Sequence, residues 1–207
     1  QSVDDIMSVL AASPSLNMLN MRYIIYNPDQ APIRNPYAFG NAWFVDKVEI
    51  VDNADAEIEA LNVINPLEIA VVDKRFAKDL EGFTPHKDST ATIVLEKYRP
   101  NRLTYKTKAD SEQLAVFSEI YYQPGWKATI DGKEVPHFRT DWILRGMLVP
   151  AGEHTIVFEF RPEAYVTAAY VSSYSSFLIL LLLIAAVGWS GWKYWQESRN
   201  TTDIKDK

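Results

Sequence analysis

The sequence contains no cysteine, which excludes disulfide bridges and thiolate chemistry. It has only three histidines, and His86, His137 and His154 lie too far apart to show the spacing of zinc ligands. Acidic residues outnumber basic ones, and the formal net charge of -6 lacks the positive footprint of a nucleic-acid-binding protein. The sequence therefore predicts no metal site, no cofactor and no nucleic-acid partner.

Catalytic signatures are also missing. The chain has no G-x-S-x-G motif, no phosphate-binding loop and no dinucleotide fingerprint. The pair Asp4 and Asp5 falls where a helix is expected to begin, which indicates a solvated first turn. The acid-rich segment 52–59 lacks the spacing of a calcium loop and predicts a solvated helix face. No catalytic residue is predicted, and whether the protein is an enzyme stays open.

One long hydrophobic run stands out. Residues 170–192 carry no charged side chain, and at helical rise they extend about 34 Å, enough to cross a hydrocarbon core of about 30 Å. Tyrosines at one end and tryptophans at the other resemble the aromatic belts of membrane interfaces. A buried core helix is the alternative, but no other part of the chain is large enough to surround it. We predict a transmembrane helix over residues 168–194, with membrane lipid as a partner.

The charges around this run predict its orientation. Only Arg161 is basic within the twenty residues before it, whereas four basic residues follow it: Lys193, Arg199, Lys205 and Lys207. The positive-inside rule then makes residues 195–207 a cytoplasmic tail and the preceding part extracytoplasmic. No signal peptide is visible ahead of that part. We therefore expect the C-terminal piece of a multi-spanning membrane protein.

The first part of the chain, residues 1–86, predicts a mixed α/β subdomain. A helix is expected over residues 2–10 with Ser2 as its N-cap. Strands are expected at 21–26, 42–51 and 68–73, and helices at 52–64 and 74–83.

The next part, residues 89–163, alternates apolar and polar residues between turn signals. Seven strands are predicted, at 91–99, 102–108, 113–121, 126–131, 134–139, 142–149 and 154–161. This spacing is typical of an antiparallel β-sandwich. The predicted fold class is α+β, with the mixed subdomain, the sandwich of about seven strands and one C-terminal transmembrane helix.

The aromatic-rich segment 121–142 allows two interpretations. On the predicted strand 126–131, Trp126 shares a face with Ala128 and Ile130, which favours a core position for its ring. The alternative is an exposed platform on which a ligand stacks. Trp142, together with Arg139 or Arg145, is the candidate for such a ligand-binding surface.

Four segments, taken in order, resemble the C-terminal region of YfhO-family bacterial membrane proteins, particularly Bacteroidetes-type members. They are LNMLNMRYII (16–25), NPYAFGNAWFV (35–45), YQPGWKATIDG (122–132) and LVPAGEH (148–154), followed by Phe158. The resemblance covers nearly the whole chain.

This resemblance implies a many-span protein of the bacterial inner membrane, similar to glycosyltransferases of the GT-C type that use polyprenyl-phosphate sugars and modify cell-surface glycans. In that class the catalytic acid lies in an early extracytoplasmic loop that is not in this chain, so no catalytic residue is carried over. The polyprenyl-phosphate sugar and the surface glycan would be partners of the whole protein. The alternatives are a non-catalytic membrane-anchored module that binds glycan or protein, and the lid of a transporter-like protein.

Overall fold

The computed structural model describes residues 3–203, with side chains described for residues 3–196. Ser2, the predicted N-cap, and the last four residues of the predicted tail lie outside this range. The chain divides into two units, with the boundary between Phe160 and Arg161. The first unit holds both sheets of a β-sandwich and a smaller α/β layer, and the second is a single long helix.

The N-terminal elements are short and are held together by buried amides. They are α1 (Val3–Ala11), α2 (Pro14–Met18), β1 (Tyr23–Ile24) and β2 (Ile33–Arg34), with β1 and β2 antiparallel. The buried Asn35 side chain donates hydrogen bonds to Asn17 Oδ1 at 2.9 Å and to the Met21 carbonyl at 2.7 Å. Asn17 in turn donates to the Leu10 carbonyl at 2.9 Å. These bonds satisfy polar groups that would otherwise be costly to bury.

A β-α-β unit follows. It consists of β4 (Lys47–Val51), α3 (Ala54–Ala60) and β5 (Ile69–Asp73), and β4 and β5 pair in parallel. The helix α3 begins at Asn53, whose side chain accepts hydrogen bonds from the amides of Asp55 and Ala56, both at 3.0 Å. A 3₁₀ helix, Lys74–Leu80, continues from β5.

The prediction of one strand over residues 42–51 is wrong. The segment forms two strands, β3 (Ala42–Val45) and β4, which belong to different sheets. Between them, the Asp46 amide donates a hydrogen bond to the Glu68 carbonyl at 2.9 Å. Apolar residues occur on both sides of Asp46 because β3 and β4 each pack within a sheet of their own. In the sequence they therefore resemble one uninterrupted strand.

The sandwich confirms the predicted antiparallel architecture. Its remaining strands are β6 (Thr92–Arg99), β7 (Arg102–Ala109), β8 (Gln113–Ile120), β9 (Trp126–Ile130), β10 (Lys133–Val135), β11 (Phe138–Thr140), β12 (Leu144–Val149) and β13 (Gly152–Phe160). One sheet has the order β10-β9-β13-β7-β6 and the other β11-β12-β8-β3. All pairings within these two sheets are antiparallel.

The predicted strand 134–139 is two strands in two sheets. Pro136 has no amide hydrogen and cannot continue a ladder, so β10 ends at Val135. The chain then crosses to the other sheet, where β11 begins at Phe138.

Two hydrophobic cores lie on opposite faces of the four-stranded sheet. Along β8, Leu114 and Val116 join the core shared with the α/β layer, whereas Ala115 and Phe117 join the core between the two sheets of the sandwich. Every residue from Gln113 to Phe117 is therefore buried. A strand covered on both faces is a continuous apolar run instead of an alternating one.

The second unit is α4 (Glu163–Asp203). Its segment Glu163–Gln196 has a mean hydropathy of 2.1 in its most apolar window and is long and apolar enough to cross a membrane, as predicted for residues 168–194. The division of the first unit into domains at residues 1–86 and 89–163 stays a prediction.

Candidate ligand-binding groove

The three residues predicted to bind a ligand fall into two different environments. Arg139 and Trp142 meet at a buried carboxylate, Glu57 of α3. Arg145 is the cross-strand neighbour of Arg139 in the pairing of β11 with β12, but its guanidinium stacks on the ring of Trp126. Arg139 and Trp142 thus share the partner Glu57, whereas the side chain of Arg145 has a different set of contacts.

Arg139 is already engaged by acids. Its Nη2 donates to Glu57 Oε2 at 2.6 Å and to Asp73 Oδ2 at 3.4 Å. Asp73 also accepts two hydrogen bonds from the Arg75 guanidinium, at 2.7 and 2.9 Å. Those bonds lower the pKa of Asp73, whereas burial raises the pKa of Glu57. The expected solvated acidic face at residues 52–59 is thus wrong for Glu57, which is fully buried.

A third acid of this cluster, Asp141, fixes the turn between β11 and β12. Its amide donates to the Val71 carbonyl and its Oδ1 accepts from the Val71 amide, both at 2.8 Å. Its other oxygen, Oδ2, is buried with no hydrogen-bond partner among the described residues. Burial raises the pKa of Asp141 to about 8, so this carboxyl is protonated at neutral pH.

Trp142 is held in a strained position beside this cluster. Its φ is 69° and that of Asp141 is 48°, a backbone region that bulky residues rarely adopt. The Trp142 amide donates to Glu57 Oε1 at 2.9 Å, and the residue is 39% exposed. Two strained residues in succession cost about 1–3 kcal/mol each, and such strain clusters at functional sites. The hydrogen bond from its amide to the buried Glu57 therefore helps to hold Trp142 in this position, in addition to packing.

A groove of about 540 Å³ lies at one end of the sandwich. We call it the Trp126 groove, and its lining comprises Leu19, Pro100, Ser118, Glu119, Ile120, Tyr122, Trp126, Arg145 and Phe160. Trp126 opens β9 after the turn at Gly125, whose φ is 102°. Because Trp126 pairs with Phe160 across β9 and β13, their rings lie 5.3 Å apart, and the Tyr122 ring lies 6.5 Å from Phe160.

Arg145 is a buried cation at the base of this groove. Only 2% of the residue is exposed, and its guanidinium carbon lies 4.2 Å from the centre of the Trp126 ring. Its Nε donates to the Ile120 carbonyl at 3.0 Å, and its Nη1 has no partner among the described residues. Burial lowers the pKa of Arg145, which the nearby Glu119 opposes. The ring contact offsets part of the cost of burying this charge.

The groove has the chemistry of a binding surface. It offers aromatic rings for the apolar face of a ligand, and Ser118 and Glu119 for its polar groups. Trp126 is half-buried, with Arg145 covering one side of its ring, so Tyr122 is the more open ring at 54% exposure. Within residues 3–196, no three histidine, aspartate or glutamate side chains come together as metal ligands.

Sequence reasoning missed Tyr122, Phe160 and Glu119 as lining residues. Phe160 lies 34 positions after Trp126 in the chain, and only the register of β9 against β13 brings the two rings together. The only signal in the sequence was the alternation of apolar and polar residues, which placed Trp126 on the apolar face of its strand. That alternation could not show that the apolar face is accessible to solvent at Trp126, where the strand begins.

Comparison with models of protein families gives a match to part of the chain. Residues 82–172 match the family described as bacterial membrane protein YfhO, which confirms the resemblance over β6 to β13 and the first residues of α4. The matched part includes every lining residue of the Trp126 groove except Leu19. No curated protein and no solved structure matches the chain.

Proposed function

We propose that this YfhO-like chain supplies the extracytoplasmic accessory domain and the final transmembrane helix of a multi-spanning protein similar to polyprenyl-phosphate-sugar-dependent glycosyltransferases. In this proposal the sandwich holds the surface glycan that the whole protein modifies. The observation that carries the proposal is the Trp126 groove, because its aromatic lining and polar groups lie in the family-matched part of the chain.

Sugars suit such a surface for a physical reason. Their C–H faces pack on aromatic rings, and their hydroxyl groups need donors and acceptors close by. Tyr122 supplies an exposed ring, and Glu119 and Ser118 supply oxygen atoms. Trp142 and Arg139 form the other predicted ligand surface, where the guanidinium already bonds Glu57.

Glycan binding is tested on the full chain in lipid nanodiscs with fragments of bacterial surface polysaccharides. Tyr122→Ala is expected to weaken binding about tenfold, since an aromatic anchor of an interface is typically worth at least about 1.4 kcal/mol. Tyr98→Ala is the matched control, because Tyr98 is 63% exposed and does not line the groove. Trp142→Ala tests the other surface. Equal losses in the Tyr122 and Tyr98 variants, or no binding by the wild type, would reject the groove as the glycan site.

Sugar transfer separates this function from the alternative, a non-catalytic membrane-anchored module that binds glycan or protein. The whole protein, reconstituted with a labelled polyprenyl-phosphate sugar and the glycan bound by the groove, is expected to transfer label to that glycan. Glycan binding without donor binding or transfer would favour the non-catalytic module.

The orientation is open to a direct test because the sequence contains no cysteine. We propose that the sandwich is periplasmic and the tail cytoplasmic. A single cysteine at Val63, which is 85% exposed, is then expected to react with a membrane-impermeant maleimide in intact spheroplasts. A cysteine at Lys205 is expected to react only after lysis, and the reverse pattern would invert the topology.

A further inference from the structure

A second cavity, of about 420 Å³, opens elsewhere on the sandwich and shares no lining residue with the Trp126 groove. Its apolar lining comes from both sheets and comprises Ile130, Val135, Pro136, Phe138, Leu148 and Pro150. Ile130 and Phe138 are buried, and Val135 and Leu148 are half-buried. We call this feature the edge cavity.

The edge cavity follows from the way the chain changes sheets. The strand β10 at one edge of the five-stranded sheet is only three residues long, and Pro136 ends it. The chain then crosses to β11, which is an edge strand of the four-stranded sheet. With so short a strand on one side, the two edges leave the space between the sheets open to solvent.

Three acids and two basic residues line the cavity, so its charged lining is acidic on balance. Its charged residues are Asp79, Glu112, Asp131, Lys133 and His154. Asp131 is satisfied within the protein, because it accepts hydrogen bonds from His154 Nδ1 at 2.7 Å and from the Thr155 amide at 2.8 Å. Among the ion pairs of the described residues, none involves Asp79 or Glu112.

Asp79 is the acid best placed to gain from a ligand. It is half-buried, and burial disfavours its charged form and raises its pKa. A cation beside it would reverse that effect, because an opposite charge in a partly dehydrated site stabilises the carboxylate. An anion would meet Asp79 and Glu112 together and be repelled.

From the apolar residues and the acidic balance of the lining we infer that the edge cavity binds an amphiphilic cation, a molecule with an apolar body and one protonated amine. The apolar body fills the space between Ile130 and Phe138, and the ammonium group lies between Asp79 and Glu112. A volume of about 420 Å³ falls within the range of about 300–1,000 Å³ that is usual for small-molecule sites.

Three probes that share one apolar body test the inference. They are 4-phenylbutylamine, 4-phenylbutan-1-ol and 4-phenylbutyrate, added to the full chain in nanodiscs of zwitterionic lipid, with empty nanodiscs as the blank. Binding is followed by the methyl NMR signals of Ile130, Val135 and Leu148. The amine is expected to shift these signals saturably and to bind at least about tenfold more tightly than the carboxylate, with the alcohol between them.

Charge-neutral variants complete the test. Asp79→Asn combined with Glu112→Gln is expected to reduce the preference for the amine to less than about threefold. Glu96→Gln, which removes an exposed acid on β6 outside the cavity lining, is the matched control and is expected to leave the preference unchanged. Absence of saturable binding, equal affinity of amine and carboxylate in the wild type, or an unchanged preference in the double variant would each overturn the inference.

Discussion

Replacing Asp141 by asparagine tests the claim that this buried carboxyl is protonated in the folded protein. Asparagine keeps the Oδ1 acceptor for the Val71 amide, which lies 2.8 Å away. It places an uncharged amide where Oδ2 is buried without a partner among the described residues. The two side chains are close in shape, so the main difference is that asparagine cannot ionise.

The magnitude follows from the pKa of Asp141, which burial raises from the ordinary value of 3.8 to about 8. Between these pH values the unfolded chain has lost the proton that the folded chain keeps, so folded stability falls as pH rises. The slope is about 1.4 kcal/mol per pH unit, or about 3 kcal/mol between pH 5 and pH 7. Stability is fully retained below pH 3.8, and the slope ends near pH 8.

Taking the difference between wild type and Asp141→Asn isolates this effect. Burial lowers the pKa of His137 to about 4, which makes stability rise with pH up to its ordinary value of 6.5. That contribution is present in both proteins and cancels. Urea unfolding in nanodiscs, followed by tryptophan fluorescence at pH 5, 6, 7 and 8, measures the difference. The unfolding free energy of the wild type, relative to that of the variant, is expected to fall steadily from pH 5 to pH 8.

The control is Glu96→Gln, an exposed substitution expected to change the unfolding free energy by less than about 0.5 kcal/mol at each pH. A difference between wild type and Asp141→Asn that does not vary between pH 5 and pH 8 would refute the protonated carboxyl. Such a constant difference is also what an ionised, paired Asp141 would give, because its stabilisation would already be complete above pH 5.

Substitutions at three further positions test the packing and a helix cap by urea unfolding. Trp126→Ala should lower the unfolding free energy by about 3 kcal/mol, because a half-buried ring is lost and Arg145 loses its aromatic contact; a change below about 1 kcal/mol would contradict this packing. Gly146→Ala should cost about 1–3 kcal/mol, since the added Cβ would lie 2.7 Å from the Phe138 ring, and an unaffected variant would show that the ring can move. Asn53→Ala should cost about 1 kcal/mol through loss of the N-cap of α3, whereas Asn53→Asp should retain most of the stability.

The antiparallel strands could be predicted from the sequence because their turns have local signals. Asp131 and Gly132 adopt φ values of 50° and 81°, as the hairpin between β9 and β10 requires. The apolar helix could likewise be predicted, because residues 170–192 carry no charged side chain. In both cases the residues that determine the structure are neighbours in the chain.

The division of strands between sheets could not be predicted in the same way. Apolar residues on both sides of Asp46 and of Pro136 suggested single strands, although each pair of strands separates into two sheets. The sheet that each strand joins depends on its pairing partner, which lies far away in the sequence, as when β3 pairs with β8. Burial of Glu57 has the same origin, because its partners Arg139 and Trp142 are more than eighty positions away.

Arg145 links the strands around the Trp126 groove through contacts that the sequence alone did not reveal. A buried guanidinium is costly unless neighbouring groups compensate, and here the compensation comes from two rings and one carbonyl. The Trp126 and Phe158 ring centres lie 4.2 and 5.2 Å from the guanidinium carbon, and the Ile120 carbonyl accepts from Nε. These contacts hold β9, β12, β13 and the end of β8 at fixed positions. The Trp126 and Arg145 side chains are thus packed against each other before any ligand arrives, so little of their side-chain entropy remains to be lost if the groove binds the ligand that we propose.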